Sequence, residues 1–341
     1  MANCEPSKPS QETLASQPNS RPLPPAWRRA LGTIVPWLVA AGLIAYVFSR
    51  VPIGEAWSVA QEARLDLFIP LVFGGVAAWF LIESLVYAFL FTRFNAPVSF
   101  REARSLRGMS CLLPPIHWNV GKAAVILRLR QTKEIPVLEA TSSVMLYQGI
   151  DGAILATFAT LGLSLLISEN PVSVGLELSG VRATTALIVL LIIFNISFTR
   201  ATRPRNRLFD WWRGLTIHRS HRLINLRDVA VIVAGKGTYH FLQVLVFYYG
   251  TAAFGIDLPF PLVLAATPII QAVGGLPITP AGLGTQQAAM LYFFGDAFGG
   301  GGSEAAIVAF GFSLPVGLIL ARCLIGLVYV RDLTATRENQ A

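Results

Sequence analysis

The sequence predicts an all-α, polytopic membrane protein, with about six spanning helices and two re-entrant hairpins arranged as an inverted-topology repeat. Three observations predict it. Of the 341 residues only 13% are charged while 54% are hydrophobic, whereas soluble domains carry about 25% charged residues. Several apolar stretches reach the roughly 20 residues needed to cross a ~30 Å hydrocarbon core. Basic side chains recur in alternate connecting regions. Together these exclude a cytosolic enzyme, a secreted disulfide scaffold and a disordered regulator. The three cysteines, Cys4, Cys111 and Cys323, form no spaced framework for disulfides or zinc.

Residues 1–29 are rich in Ser, Pro, Gln and Asn and nearly lack bulky aliphatic side chains. They cannot bury enough surface to offset the entropy of ordering, so a disordered tail is expected. Arg28 and Arg29 should hold it in the cytoplasm. The transmembrane domain is expected over 30–333, in halves of about 30–167 and 168–333, with a cytoplasmic tail at 334–341. Six spans are predicted at 31–49, 67–91, 137–167, 182–199, 229–254 and 305–330. Between the first two, Ile53, Trp57, Val59, Ala60 and Ala63 fall near one helical face, as in an interfacial helix.

The charges support this division. Region 92–136 has eight basic residues against Glu102 and Glu134, and region 200–228 has eight arginines against Asp210 and Asp228. The opposite-side regions 50–66, 168–182 and 255–304 carry three basic residues (Arg50, Arg64, Arg182) against eight acidic ones. That is the positive-inside pattern, and it places both termini in the cytoplasm of an inner (plasma) membrane protein. The net charge of +8 therefore answers to anionic lipid rather than nucleic acid.

Two apolar pieces, about 105–128 and 260–298, cannot span without breaking that alternation. Each contains a break. The first runs from Leu113-Pro114 to Gly121, the second from Leu276-Pro277 to Gly284; in both, Gly follows Pro by seven positions and a pair of alanines comes next. Each break sits between the second and third spans of its half, and the halves begin on opposite sides. Inverted repeats with discontinuous helices are how many transporters build a mid-membrane site.

The second break, Pro277-Ile278-Thr279-Pro280-Ala281-Gly282-Leu283-Gly284-Thr285-Gln286-Gln287-Ala288, resembles the Pro-Ile-Thr-Pro-Gly-Gly-Leu-Gly-x-x-Glu-Ala signature of the lysylphosphatidylglycerol synthase transmembrane family, the flippase-like domains. The first break is similar to the family's Pro-x-x-x-Gly-Glu element, and 140–153 to its Ser-Val-x-x-Glu-Arg-x-x-Asp helix. Arg322 sits where the family often has an arginine. The resemblance covers about 31–330. It implies a multi-pass protein handling lipid or lipid-linked substrates, some members moving an aminoacylated phospholipid between leaflets. The soluble aminoacyl-transferase domain of some relatives is not expected here, so no synthase activity is carried over. Family carboxylates are replaced by Gln287 and Lys122, and the Glu-Arg pair by Tyr147 and Gln148, which changes any ion or proton coupling.

Four ionisable side chains should lie within spans: Glu83, Asp151, Lys236 and Arg322. Such groups cost several kcal/mol unless paired or wetted, and mark function by default. Asp151 could pair with Arg322. Lys236, about two turns from Val229, is expected to snorkel to the cytoplasmic face; it shares a face with His240 and Gln243, and the histidine reads as a satisfied core residue. At the second break, Thr279 and Pro280 suit a helix start as cap and first-turn residue, and Gly282 and Gly284 allow close backbone approach. Exposed N–H groups there would favour a phosphate. The candidate substrate-binding set is Pro114, Gly121, Asp151, Lys236, Pro277, Thr279, Pro280, Gly282, Gly284, Gln287 and Arg322. Enzyme motifs are absent, and no catalytic residue, cofactor or metal is expected; His218 and His221 lack accompanying ligands. The function expected is translocation of an anionic phospholipid or lipid-linked substrate. The alternative is a lipid-binding accessory of a membrane enzyme, and a less favoured one is an enzyme on a lipid-linked substrate.

Overall fold

The computed structural model describes residues 26–112, 118–169, 175–200, 211, 214–276, 278–279, 282–295 and 302–338. The chain divides into two units, 1–35 and 36–341, and the contacts described below lie within the second. Every described element is helical. In order they are α1 (Ala26–Arg50), α2 (Ile53–Glu62), α3 (Leu65–Phe94), α4 (Phe100–Ser110), α5 (Trp118–Lys133), α6 (Val137–Glu169), α7 (Gly175–Arg200), a 3-10 turn (Thr216–His218), α8 (Arg219–Leu223), α9 (Leu226–Ala253), α10 (Phe260–Gly275), α11 (Thr285–Phe294) and α12 (Glu304–Glu338).

Among the described residues four helices are long and apolar enough to cross a membrane: α3, Val137–Ile167 of α6, α9, and Glu304–Tyr329 of α12. A fifth arises if Val35–Arg50 and α2, which meet at 78°, count as one broken span. The predicted span at 182–199 lies in α7, where Thr185–Phe194 forms a shorter apolar stretch among the described residues. The predicted boundary at 333 falls inside α12, which continues to Glu338. The face expected on α2 divides: Val59, Ala60 and Ala63 pack on the core, while Ile53 and Trp57 are exposed.

Local sequence sets where these helices start. Ser99 and Glu102 form a capping box at α4, Ser99 N–H donating to Glu102 Oε2 at 2.7 Å. Asn225 and Asp228 do the same at α9, with Asp228 N–H donating to Asn225 Oδ1 at 2.8 Å. Each satisfies two otherwise orphaned N–H groups. Ion pairs then join neighbouring ends: Arg93 to Asp228 at 3.0 Å (α3 to α9), Lys133 to Glu102 at 2.6 Å (α5 to α4), Arg219 to Glu139 at 3.0 Å (α8 to α6). Lys133 and the Ser99 hydrogen bonds hold the Glu102 carboxyl below its usual pKa, and burial beside His218 lowers His221 to about 4.

Among the described residues two large apolar clusters fill the interior. One gathers Phe68 and Val72 of α3, Phe247 of α9, Ile270 of α10, Phe294 of α11 and Phe310 of α12. The other gathers Leu90 and Phe91 of α3, Met109 of α4, Leu129 of α5, Ile150 of α6 and Ile232 of α9. Helices α3 and α9 serve both. Helices α6 and α10 approach closely at Gly162, where a Cβ would collide with the backbone of Ala265. Small residues permit such backbone contact where lipid supplies no hydrophobic drive between helices.

Candidate functional site

Between the clusters lies a cavity of about 430 Å³, within the ~300–1,000 Å³ range of small-molecule sites. Its walls come from α3, α4, α5, α6, α9, α10, α11 and α12. Among the described residues six formally charged side chains line it: Glu83, Arg107, Lys122, Asp151, Lys236 and Arg322. Glutamines Gln148, Gln243, Gln271 and Gln286 and the rings of Trp79, Tyr87, Tyr147 and Tyr239 complete its polar and aromatic surface.

Glu83, 6% exposed, stands on the apolar helix α3. It ion-pairs with Arg107 of α4, lies 3.5 Å from Lys236 Nζ, and accepts a 2.8 Å hydrogen bond from the Tyr147 hydroxyl. Lys236 Nζ lies 2.6 Å from Asp151 Oδ1, and His240 Nε2 lies 2.8 Å from the same oxygen. The chain continues from His240 Nδ1 to Gln243 Oε1 at 2.9 Å and from Gln243 Nε2 to the Tyr239 hydroxyl at 3.2 Å. Lys236 also lies over two rings, 4.0 Å from the Tyr239 centroid and 4.8 Å from that of Tyr147. Buried charges persist only where pairing and hydrogen bonds replace hydration. Here three helices, α4, α6 and α9, supply those partners to two carboxylates.

Of the candidate residues, Gly121, Asp151, Lys236 and Arg322 line this cavity. Two details differ from expectation. Lys236 is 3% exposed and paired on both sides, so it does not snorkel. Asp151 pairs with Lys236 and His240 rather than with Arg322; helix α9 brings its i and i+4 positions to the same carboxylate, geometry that a linear sequence leaves open.

Thr279, Gly282, Gly284 and Gln287 are buried beside the cavity and are not among its lining residues. Pro114, Pro277 and Pro280 lie outside the described residues. Helix α11 starts at Thr285, later than the Thr279-Pro280 start expected, because Gly282 (φ +76°) and Gly284 (φ +81°) stand in the left-handed region and interrupt helical geometry. The Gly284 N–H donates to Gln287 Oε1 at 2.8 Å, and Gln287 Nε2 donates to Gly311 O at 2.9 Å. Thr285 Oγ1 donates to Gly282 O at 2.9 Å. The break meets the cavity through Gln286 and through Gln271, Ala272, Gly275 and Leu276 at the end of α10.

Arg107, Tyr147, Gln148, Gln271 and Gln286 join the site without having been singled out for it. Arg107 is one of many arginines in a basic region, and no local signal separates it from its neighbours. Lys122 carried one: a cation one residue after the break glycine, inside an apolar stretch. Among the described residues no group of three His, Cys, Asp or Glu side chains is placed to hold a metal, and Cys111 and Cys323 are unbridged.

Long apolar helices enclosing a buried, charged cavity define a multi-pass helical membrane protein. Residues 33–320 match the lysylphosphatidylglycerol synthase TM region, and the chain belongs to that flippase-like family. No individual curated protein matches it.

Proposed function

We propose that this protein carries an anionic phospholipid, or another lipid-linked anion, between the leaflets of the inner (plasma) membrane, with both termini in the cytoplasm. The observation that supports this is the charged cavity among the apolar helices. A headgroup crossing there would exchange hydration for fixed charges and hydrogen bonds while its acyl chains stayed in hydrocarbon. We read α4–α5 and α10–α11 as re-entrant hairpins of two inverted halves. The Lys133–Glu102 pair, which joins the entry of α4 to the exit of α5, favours a chain that enters and leaves on one side. Lipids are the expected partners, and a membrane enzyme acting on the same lipid is a second.

The test is leaflet exchange in vesicles holding the purified chain and acyl-labelled lipids, read by quenching of outer-leaflet label. The expected result is exchange of anionic lipid well above that of empty vesicles. Bound lipid without exchange would favour the accessory role, and products altered in mass would favour an enzyme.

A further inference from the structure

We propose that the cavity selects headgroups with two negative charges, a phosphate monoester or a diphosphate, and rejects zwitterionic and cationic ones, the lysine-bearing phospholipid of the family's name included. The inference rests on reading the cavity as a headgroup site.

Charge is the first argument. Among the described residues the lining holds four basic side chains, Arg107, Lys122, Lys236 and Arg322, against two carboxylates, Glu83 and Asp151. The described lining thus carries a formal excess of two positive charges, which an incoming dianion would neutralise. A phosphate monoester carries about −1.5 to −2 at pH 7, whereas a phosphodiester headgroup offers a single negative charge and a lysine ester of it is net positive.

The second argument is that the groups an ammonium would need are already engaged. Glu83 is held by Arg107, Lys236 and the Tyr147 hydroxyl, and Asp151 by Lys236 and His240. Aromatic faces are the other common receptor for ammonium groups. Here the protein's own Lys236 lies over two of the lining rings, Tyr239 and Tyr147.

The third argument is the stock of donors. Of the buried lining atoms without a hydrogen-bond partner among the described residues, two are donors, the indole N–H of Trp79 and the Nε–H of Arg107, and one is an acceptor, Glu83 Oε2, which faces Arg107 in their ion pair. Buried polar groups are nearly always satisfied, so such donors point to an acceptor-rich ligand. Phosphate oxygens are such acceptors, and Arg is well suited to bind them.

The test is competition for the full chain in detergent, read by native mass spectrometry. Equimolar phosphatidate, phosphatidylglycerol, phosphatidylcholine and lysylphosphatidylglycerol with matched acyl chains are offered together. Phosphatidate should be retained about tenfold over phosphatidylglycerol, a difference that one extra charge readily supplies. The other two should show no specific retention. Lys122→Gln, which removes one positive charge, should narrow the phosphatidate preference to about threefold or less. Equal retention of all four, or preference for the lysine-bearing lipid, overturns the proposal, and this comparison on the native chain decides even if the variant does not accumulate. Displacement of phosphatidate by equimolar inorganic phosphate would assign the site to a soluble anion and overturn the lipid source. Vesicle exchange with the same four lipids separates the two claims. Phosphatidate that binds selectively but does not exchange supports the selectivity and sinks the translocase reading. Exchange of every lipid at one rate does the reverse.

Discussion

The cavity and the second helix break are both polar and both buried, yet they differ in how their polar groups are used. In the break the partners lie within the turn itself or on the adjacent α12: Gly284 N–H to Gln287, Thr285 to Gly282, and Gln287 to Gly311. These groups satisfy one another and hold a fixed turn. In the cavity, charges from α3, α4, α5, α6, α9 and α12 meet around a space of about 430 Å³, with a basic excess and buried donors in the described lining. A closed set of hydrogen bonds builds a scaffold; an unbalanced set of charges offers a place for something else. A conspicuous motif and the site it supports can thus lie side by side and do different work.

Substitutions can break or sharpen that contrast. The largest effect is expected from Asp151→Ala, which removes the nearest counter-charge of buried Lys236. Breaking a buried pair from one side costs about 3–5 kcal/mol, measured as a loss of unfolding stability in micelles. Asp151→Asn keeps the shape and should recover part of it. If Asp151→Ala were neutral, Lys236 would have to be hydrated, and the cavity would not be the low-dielectric site described.

Gly284→Ala comes next. Its φ of +81° disfavours any side chain, and a Cβ would meet Leu43 Cβ at 2.8 Å and Ala40 O at 3.1 Å. Left-handed backbone and overpacking together should cost about 2–4 kcal/mol, again as lost unfolding stability. If the break is scaffold, the surviving fraction should keep wild-type lipid preference. An altered preference at unchanged stability would move the break into the binding site.

Gln287→Leu should cost less, about 1–3 kcal/mol, the penalty for leaving the Gly284 N–H and Gly311 O unpaired. Arg50→Ala should cost least. Its 2.5 Å pair with Glu304 joins two half-exposed side chains, and surface pairs contribute about 0–1 kcal/mol. A larger loss there would mean that the end of α1 is braced against α12 more firmly than an exposed pair allows.

Much of the fold was legible in the sequence because apolar length alone marks α3, α6, α9 and α12. The capping boxes that start α4 and α9 are equally local, and only the structure brought them out. The site was legible in part. Asp151, Lys236 and Arg322 announced themselves as charges in apolar helices, and all three line the cavity. Arg107 did not, because a cation in a basic connecting region resembles every other until its partner Glu83 is placed. The start of α11 was misjudged for a related reason. Thr279-Pro280 has the form of a cap, but positive φ at Gly282 and Gly284 delays the helix to Thr285.

By itself the sequence determined that this chain is a multi-pass α-helical membrane protein, which side chains would be too polar for their helices, and the family to which it belongs. Those properties depend on composition and near-neighbour spacing, which a linear string contains in full. Only the tertiary structure decided that Lys236 is enclosed rather than snorkelling, that Asp151 answers to α9 rather than to Arg322, and that the basic residues outnumber the acidic ones around one cavity. Charges interact through space over a few ångströms, and it is the packing of α3, α4, α5, α6, α9 and α12 that brings those ångströms about.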